Sequence, residues 1–276
     1  MTCLVLKLGG ELLEDTARLR HVVSAIRSVA ARTPLVVVHG GGHEIDAALR
    51  VAGIEKRQVD GLRITDEPTL NVVVSVLAGT VNTRFVAALT ASGVAAVGLT
   101  GADAACGLSE LASPHRTVDG RVVNLGLVGV PVQRTDTRLL DTLLGEGFVP
   151  VIACIGVGQH GELLNVNADT LAGHLAARLR ARRLIVAGTT AGVLDATGAT
   201  APLLMPADVM RLLEEGTATA GMIAKLQACR NALAGGVEDV VVVDGRDAAA
   251  LVIAAGEGVP DGATRLVWYE SLKSQG

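Results

Sequence analysis

Aromatic residues are scarce in this sequence: its 276 residues include one tryptophan, one tyrosine and two phenylalanines. A platform of stacked rings for single-stranded nucleic acid is therefore not expected. Cysteine is scarce too. Cys3, Cys106, Cys154 and Cys229 lie far apart, with no C-x-x-C pair and no clustered histidines. That spacing argues against a zinc site or a disulfide framework and fits a reducing compartment. No unbroken apolar run approaches the ~18 residues of a membrane span, so none is expected. Neither sign of charge dominates. Twenty-eight acidic side chains against 24 basic ones leave a formal charge of −4, which gives no general attraction to nucleic acid or an anionic membrane. Any anion must then be met by local cations. Residues 1–10 already read as strand and loop, so no leader is expected, and the expected location is cytoplasmic.

Small and apolar residues are abundant instead. Half the chain is hydrophobic and 33 residues are glycine, enough to bury a large core in one α/β domain or two lobes. The organising stretch is Pro34-Leu35-Val36-Val37-Val38-His39-Gly40-Gly41-Gly42. An apolar run without polar alternation reads as a strand covered on both faces. The glycines then let the backbone turn and present bare N–H groups, and the helix predicted from His43 to Ala52 adds its positive end. Leu4 to Leu8 is a second such strand, ending in Gly9-Gly10. Each loop alone is compatible with a plain tight turn. Two at the carboxyl ends of adjacent strands point to a ligand site.

Further along, periodicity predicts a helix from Asp15 to Ala31 and a loop from Val59 to Thr65. A long helix from about Glu67 to Ser92 is capped by Thr65 or Asp66, with Pro68 in its first turn. It is apolar nearly all round, so it either lies inside the domain or forms a subunit interface. A strand is expected at Val94–Leu99, a hairpin at Arg116–Val130 turning at Asp119-Gly120, a helix at Thr135–Glu146 and a buried strand at Phe148–Ile155. The remaining helices are expected at Asp169–Arg180, Pro206–Glu215, Gly221–Leu233 and Ala248–Ala255. Strands are expected at Arg183–Ala187 and Val240–Val243, with Thr264–Trp268 as the last edge. The alternation predicts a mainly parallel sheet with helices on both faces, in two lobes around one continuous sheet split near Leu179.

Lys7 stands inside an apolar strand, where an ammonium is costly unless it meets an anion or reaches solvent at the strand end. Lys225 follows Gly221 on a predicted helix. Asn165, Asn167 and Asp169 alternate, and either of the last two is a candidate cap for the next helix. Arg63 lies in a polar loop and offers a fork suited to a carboxylate. Two lysines from distant segments, glycine N–H groups and a carboxylate between them fit phosphoryl transfer from ATP, which depends on positioning and positive charge. A carboxylate acceptor, with a pKa near 4, would need no general base.

Six stretches carry a resemblance: Lys7-Leu8-Gly9-Gly10, Val38-His39-Gly40-Gly41-Gly42, Asp60-Gly61-Leu62-Arg63-Ile64-Thr65-Asp66, Val76-Leu77-Ala78-Gly79-Thr80-Val81-Asn82, Asn165-Val166-Asn167-Ala168-Asp169 and Gly221-Met222-Ile223-Ala224-Lys225. In this order the chain resembles the amino-acid kinase superfamily, and within it the N-acetylglutamate kinases, over nearly its whole length. The resemblance implies a three-layer αβα sandwich around one open, mainly parallel sheet. Residues 1–179 would bind the acyl-amino acid and dimerise, and residues 180–276 would bind the nucleotide. Lys7 and Lys225 would stabilise the transferring phosphoryl group, with Asp169 organising both. Gly41, Gly42, Arg63, Asn165 and Asn167 would hold N-acetyl-L-glutamate, and Gly9 and Gly10 would line the phosphate path. The adenosine site would fall at Thr189, Gly192, Leu194, Thr217 and Thr219. The cofactor implied is ATP, with Mg2+ held mainly by the nucleotide and no protein metal site. The helix around residues 67–92 would form a homodimer.

Two positions depart from the family pattern. Gly188-Thr189 stands where Ser/Thr-Asp is usual, removing a carboxylate from the nucleotide site, and His43 replaces a commoner proline or small residue. Arginine-inhibited relatives carry an extra N-terminal helix that builds hexamers. With the first strand starting almost at Met1, a dimer without arginine control is expected. Kinases for carrier-protein-linked aminoadipate or glutamate, and a catalytically weak ligand-sensing homologue, are the alternative readings.

Overall fold

The computed structural model describes residues 2–117, 119–195, 197–214 and 220–268. Its centre is an eight-stranded sheet. In spatial order the strands are Leu203–Leu204, Thr264–Val267, Asp239–Asp244, Arg183–Gly188, Leu4–Leu8, Leu35–His39, Val149–Ala153 and Ala96–Thr100. Every neighbouring pair is parallel except Asp239–Asp244 with Thr264–Val267. The uninterrupted apolar strands are buried throughout, as expected of a sheet covered on both sides. On one face Thr16–Ala30 packs against Ala248–Ala255 and Asn82–Ala91. On the other, Ala168–Arg178 packs against Ala220–Ala234 and lies over Leu4–Leu8. Thr264–Val267 is not the last edge. Leu203–Leu204, too short to show a period, lies outside it.

The sheet's centre places the loops. Leu4–Leu8 lies in register between Leu35–His39 and Arg183–Gly188, so Gly9-Gly10, Gly40-Gly41-Gly42 and Gly188-Thr189 leave the sheet side by side. Gly9 N–H donates to Ala187 O at 2.9 Å and Gly40 N–H to Leu8 O at 3.3 Å. A Cβ on Gly10 would lie 2.6 Å from Gly41 Cα. The first two glycine loops therefore touch backbone to backbone, an approach no side chain allows.

The structure corrects several boundaries. The buried strand expected at Phe148–Ile155 ends at Ala153. The strand is interrupted at Cys154, and the chain continues as Ile155–Val157 in a second, four-stranded sheet with Leu163–Val166, Val128–Pro131 and Ser109–Leu111. The hairpin expected from Arg116 to Val130 shrinks to His115–Arg116 against Val122–Val123, because Val128–Pro131 pairs with Ser109–Leu111 and Leu163–Val166 instead. The loop at Val59–Thr65 contains a minimal hairpin, Gln58–Val59 against Leu62–Arg63. Its turn places Asp60 and Gly61 at positive φ.

Asp66 caps the long helix, accepting from Thr69 N–H at 3.0 Å. The helix runs on to Ala91, but residues Ser75–Val81 form a π-helical turn. One extra residue per turn rotates everything after it about the axis. Phe85 and Leu89 thereby meet the sheet with no exposure, and Asn82 is also buried. The stretch Glu67–Ala91 has a mean hydropathy of 1.7 over 18 residues, so by length and composition alone it matches a membrane span. Small and polar residues interrupt it, which is why no unbroken apolar run appears in the sequence.

Candidate active site

The cavity at the carboxyl ends of the central strands has a volume of about 400 Å³. It gathers nine of the residues named from the sequence: Lys7, Gly9, Gly10, Gly41, Gly42, Arg63, Asn165, Asn167 and Asp169. They come from four separate segments, brought together at the carboxyl end of the parallel sheet.

At one end is a buried ion pair. Lys7 Nζ meets Asp169 Oδ1 at 3.0 Å, with side-chain exposures of 9% and 12%. Asp169 stands in the first turn of helix Ala168–Arg178, whose cap is Asn167, accepting from Thr170 N–H at 3.0 Å. Of the two candidate caps, Asn167 takes the role and leaves Asp169 free to face Lys7. Burial opposes the charge on Lys7, but Asp169, with Glu11 beyond it, overcomes that and raises the lysine's pKa. Lys225 lies outside the cavity wall. Its Nζ is close to Gly188, since a Cβ there would lie 3.5 Å from Nζ and 3.3 Å from Glu11 Oε1. Burial, then repulsion from Lys7, lowers the Lys225 pKa, and Asp169 and Glu11 offset this in part. The two ammonium groups thus lie close enough for Lys7 to repel Lys225, and both are attracted by the carboxylates of Asp169 and Glu11.

At the other end the groups suit a carboxylate and an amide. Arg63 Nη2 donates to Asp46 Oδ1 at 2.5 Å, and its buried Nη1 has no hydrogen-bond partner among the described residues. Asp46 also receives Lys56 Nζ at 2.8 Å. Burial works against its charge, yet Lys56 and Arg63 hold its carboxyl below the ordinary aspartate range. One nitrogen of the fork is therefore anchored and the other is available. Asn165 Nδ2 donates to Thr65 Oγ1 at 3.0 Å. Gly41 precedes helix Gly42–Val51 without a side-chain cap, so the first N–H groups remain open to an anion. A Cβ on Gly41 would lie 2.8 Å from Leu77 Cδ2, which ties this loop to the π turn.

The residues expected to bind adenosine are not in this cavity. Thr189 and Leu194 are exposed beyond the strand ending at Gly188. Gly192 is packed, since a Cβ there would lie 2.6 Å from Thr264 Oγ1. Thr217 and Thr219 fall outside the described residues. His43 stands at the rim of the cavity beside Glu14. Cys154 lines the cavity with its thiol pushed up to about 12 by burial, which rules it out as a nucleophile near neutral pH. Sequence reasoning missed Glu11, Asp46 and Lys56. Only Asp46 left a signal, one helical turn after Gly42 and so on the face of the glycine loop.

The sequence model of the amino acid kinase family matches residues 2–244. The chain belongs to the amino acid kinase family. Among its relatives is an acetylglutamate kinase of Novosphingobium aromaticivorans, 42% identical over 88% of this chain and 83% of that protein. An acetylglutamate kinase of Methanopyrus kandleri is 41% identical over 87% of this chain and 94% of its own length. Of solved structures, smu.665 from Streptococcus mutans superposes with a TM-score of 0.79 at 25% identity, covering 96% of this chain and 98% of that one. The N-acetylglutamate synthase of Neisseria gonorrhoeae, complexed with coenzyme A and N-acetyl-glutamate, superposes with a TM-score of 0.80 at 27% identity. This chain spans 59% of that one. The open sheet flanked by helices is thus the family's architecture.

Proposed function

We propose that this chain is an acetylglutamate kinase, transferring the γ-phosphoryl group of ATP to the side-chain carboxylate of N-acetyl-L-glutamate in arginine biosynthesis. The observation that carries the reading is the polarity of one cavity: a buried, half-anchored arginine fork and open glycine N–H groups at one end, and a buried lysine–aspartate pair at the other. Arg63 Nη1 receives the α-carboxylate, and Gly41, Gly42, Asn165 and Asn167 surround the rest of the substrate. One oxygen of the distal carboxylate attacks the γ-phosphorus as the bond to the β-phosphate oxygen breaks, giving the acyl phosphate and ADP. That carboxylate is already ionised at neutral pH, so no proton moves and no general base is needed. Charge spreads over the equatorial oxygens of the moving group. Lys7 and Lys225 neutralise it from two sides, and Asp169 holds Lys7 in place. Gly9 and Gly10 let the phosphate chain approach the backbone.

We read residues 180–276 as the nucleotide lobe, with adenosine at Thr189, Gly192, Leu194, Thr217 and Thr219, and residues 1–179 as the acyl-amino-acid lobe. Among the described residues, no group of three or more His, Cys, Asp or Glu side chains is placed to cage a metal ion. We read Mg2+ as carried mainly on the nucleotide's phosphate oxygens. Glu67–Ala91 is apolar along its length, yet only 39% of its apolar 18-residue window is buried, which supports a homodimer contact, and the location consistent with the reading is cytoplasmic. A coupled assay of ADP release tests the function. Turnover requires N-acetylglutamate, and N-acetylaminoadipate is a much poorer acceptor. ADP release indifferent to N-acetylglutamate refutes it.

A further inference from the structure

His39 ends the second strand of the sheet with no solvent exposure, and Asn82 on the long helix is 5% exposed. Their hydrogen bonds fix each other's orientation. Val151 O can only accept, so the Asn82 atom 2.9 Å from it is Nδ2. The same Nδ2 lies 3.0 Å from His39 Nε2 and 3.5 Å from Leu99 O, and the nearer acceptor takes its second hydrogen. Nε2 is then an acceptor, and the proton of the neutral ring sits on Nδ1. Nδ1 lies 3.0 Å from Gly40 O, so its N–H donates to that carbonyl. Phe85, with its ring edge-on at 6.1 Å, closes the pocket around the imidazole.

A trans peptide is planar, and its C=O and N–H point in opposite directions. Holding Gly40 O toward the imidazole therefore turns the Gly41 N–H away from it, and Gly41 lines the cavity. No hydrogen-bond acceptor serves that N–H among the described residues. Residues 40–42 are glycines, whose backbone has more freedom than any other to settle elsewhere. A donor outside the loop is needed to hold one peptide orientation. The π turn explains how the long helix supplies it. Leu77 within the turn faces Gly41, and Asn82 directly after it faces His39.

We propose that Asn82 and His39 are positioning residues for the acyl-amino acid: Asn82 selects the Nδ1–H form of His39, and that N–H pins the Gly40 carbonyl so that the Gly41 N–H is aimed at the substrate. The kinetic consequence rests on the kinase reading above, whereas the tautomer does not.

Long-range 1H–15N NMR on the wild-type protein labelled at histidine nitrogen tests the tautomer directly, with the signal assigned through His39→Asn. Burial drops the His39 pKa to about 4, so a neutral Nδ1–H pattern is expected unchanged between about pH 5.5 and pH 9. An Nε2–H or imidazolium pattern overturns the proposal. In Asn82→Leu the same signal turns into a mixture of tautomers, and a signal that stays wholly Nδ1–H overturns Asn82's role. In turnover, His39→Leu raises the KM for N-acetylglutamate about tenfold or more, with the KM for ATP within about twofold. His39→Asn, whose Nδ2–H takes the place of the ring N–H, recovers most of that loss. Equal KM values for the two variants, or a parallel change in both substrates' KM, overturns the proposal. If His39→Leu does not fold, the wild-type and Asn82→Leu spectra still decide. A wild type without acetylglutamate-dependent turnover refutes the kinase reading and leaves the tautomer result standing.

Discussion

Replacing Asp169 with asparagine isolates what the central ion pair contributes. At 3.0 Å and an effective dielectric near 20, the attraction between Lys7 and Asp169 is about 5–6 kcal/mol. Both side chains are nearly buried, so once the carboxylate is gone the ammonium must remain uncompensated or lose its proton. Losing it from a value near 10.5 at pH 7 costs about 5 kcal/mol, which caps the penalty. A loss of about 3–5 kcal/mol of unfolding free energy is expected at neutral pH. The pH dependence is the sharper readout. In the wild type the pKa of Lys7 is raised, so its contribution is complete below the unfolded value and fades only above it. In Asp169→Asn burial dominates and drives the lysine below that value. The folded protein then sheds a proton that the unfolded chain keeps, and stability climbs with pH between the two values. Denaturant unfolding of both proteins should show the gap narrowing from pH 7 to about pH 10. The kcat of the variant falls about 10²–10³-fold. A stability loss under about 1 kcal/mol, or a gap constant across that pH range, refutes the anchoring role of Asp169.

Three other outcomes are expected. Arg63→Lys keeps the charge but loses the second arm of the fork, and steady-state kinetics should show the KM for N-acetylglutamate rising about 10–100-fold with kcat little changed. Gly10→Ala drives a methyl group to within 2.6 Å of Gly41 Cα. The two loops must separate, lowering stability by about 1–3 kcal/mol in denaturant unfolding and kcat/KM by about 10²-fold. The pKa of Lys225 is lowered by burial and by Lys7, so the pH profile of kcat/KM for ATP should fall on the alkaline side with a midpoint below 10.5, and Lys225→Arg should remove that limb.

What the sequence made legible is what depends on local pattern. Val36-Val37-Val38 reads as a doubly covered strand because burial on both faces removes alternation. A cap at Thr65 or Asp66 is legible because the pair precedes Glu67-Pro68, and the two glycine loops read as paired because each follows such a strand. The missed features depend on distance. Ser109–Leu111 and Leu203–Leu204 are too short for a period of two to register. The π turn is invisible because an apolar helix offers no phase to track. Glu11 reads as an ordinary polar residue, and only the arrival of Gly188 and Lys225 beside it places it at the candidate site. His39 was legible as the end of a strand, but its partner is 43 residues away, and no local rule couples them.

The strand that carries Lys7 lies in the middle of the sheet although it comes first in the chain. One of its edges pairs with residues 35–39, but the other stays open until residues 183–188 are available. A nascent polypeptide must therefore be extended by some two-thirds of its length before its first apolar strand is enclosed, and a closure of such long range is slow. Over that interval the open edge can pair with foreign strands. Yield during expression should thus respond to temperature and to chaperone supply more strongly than the stability of the finished protein would suggest.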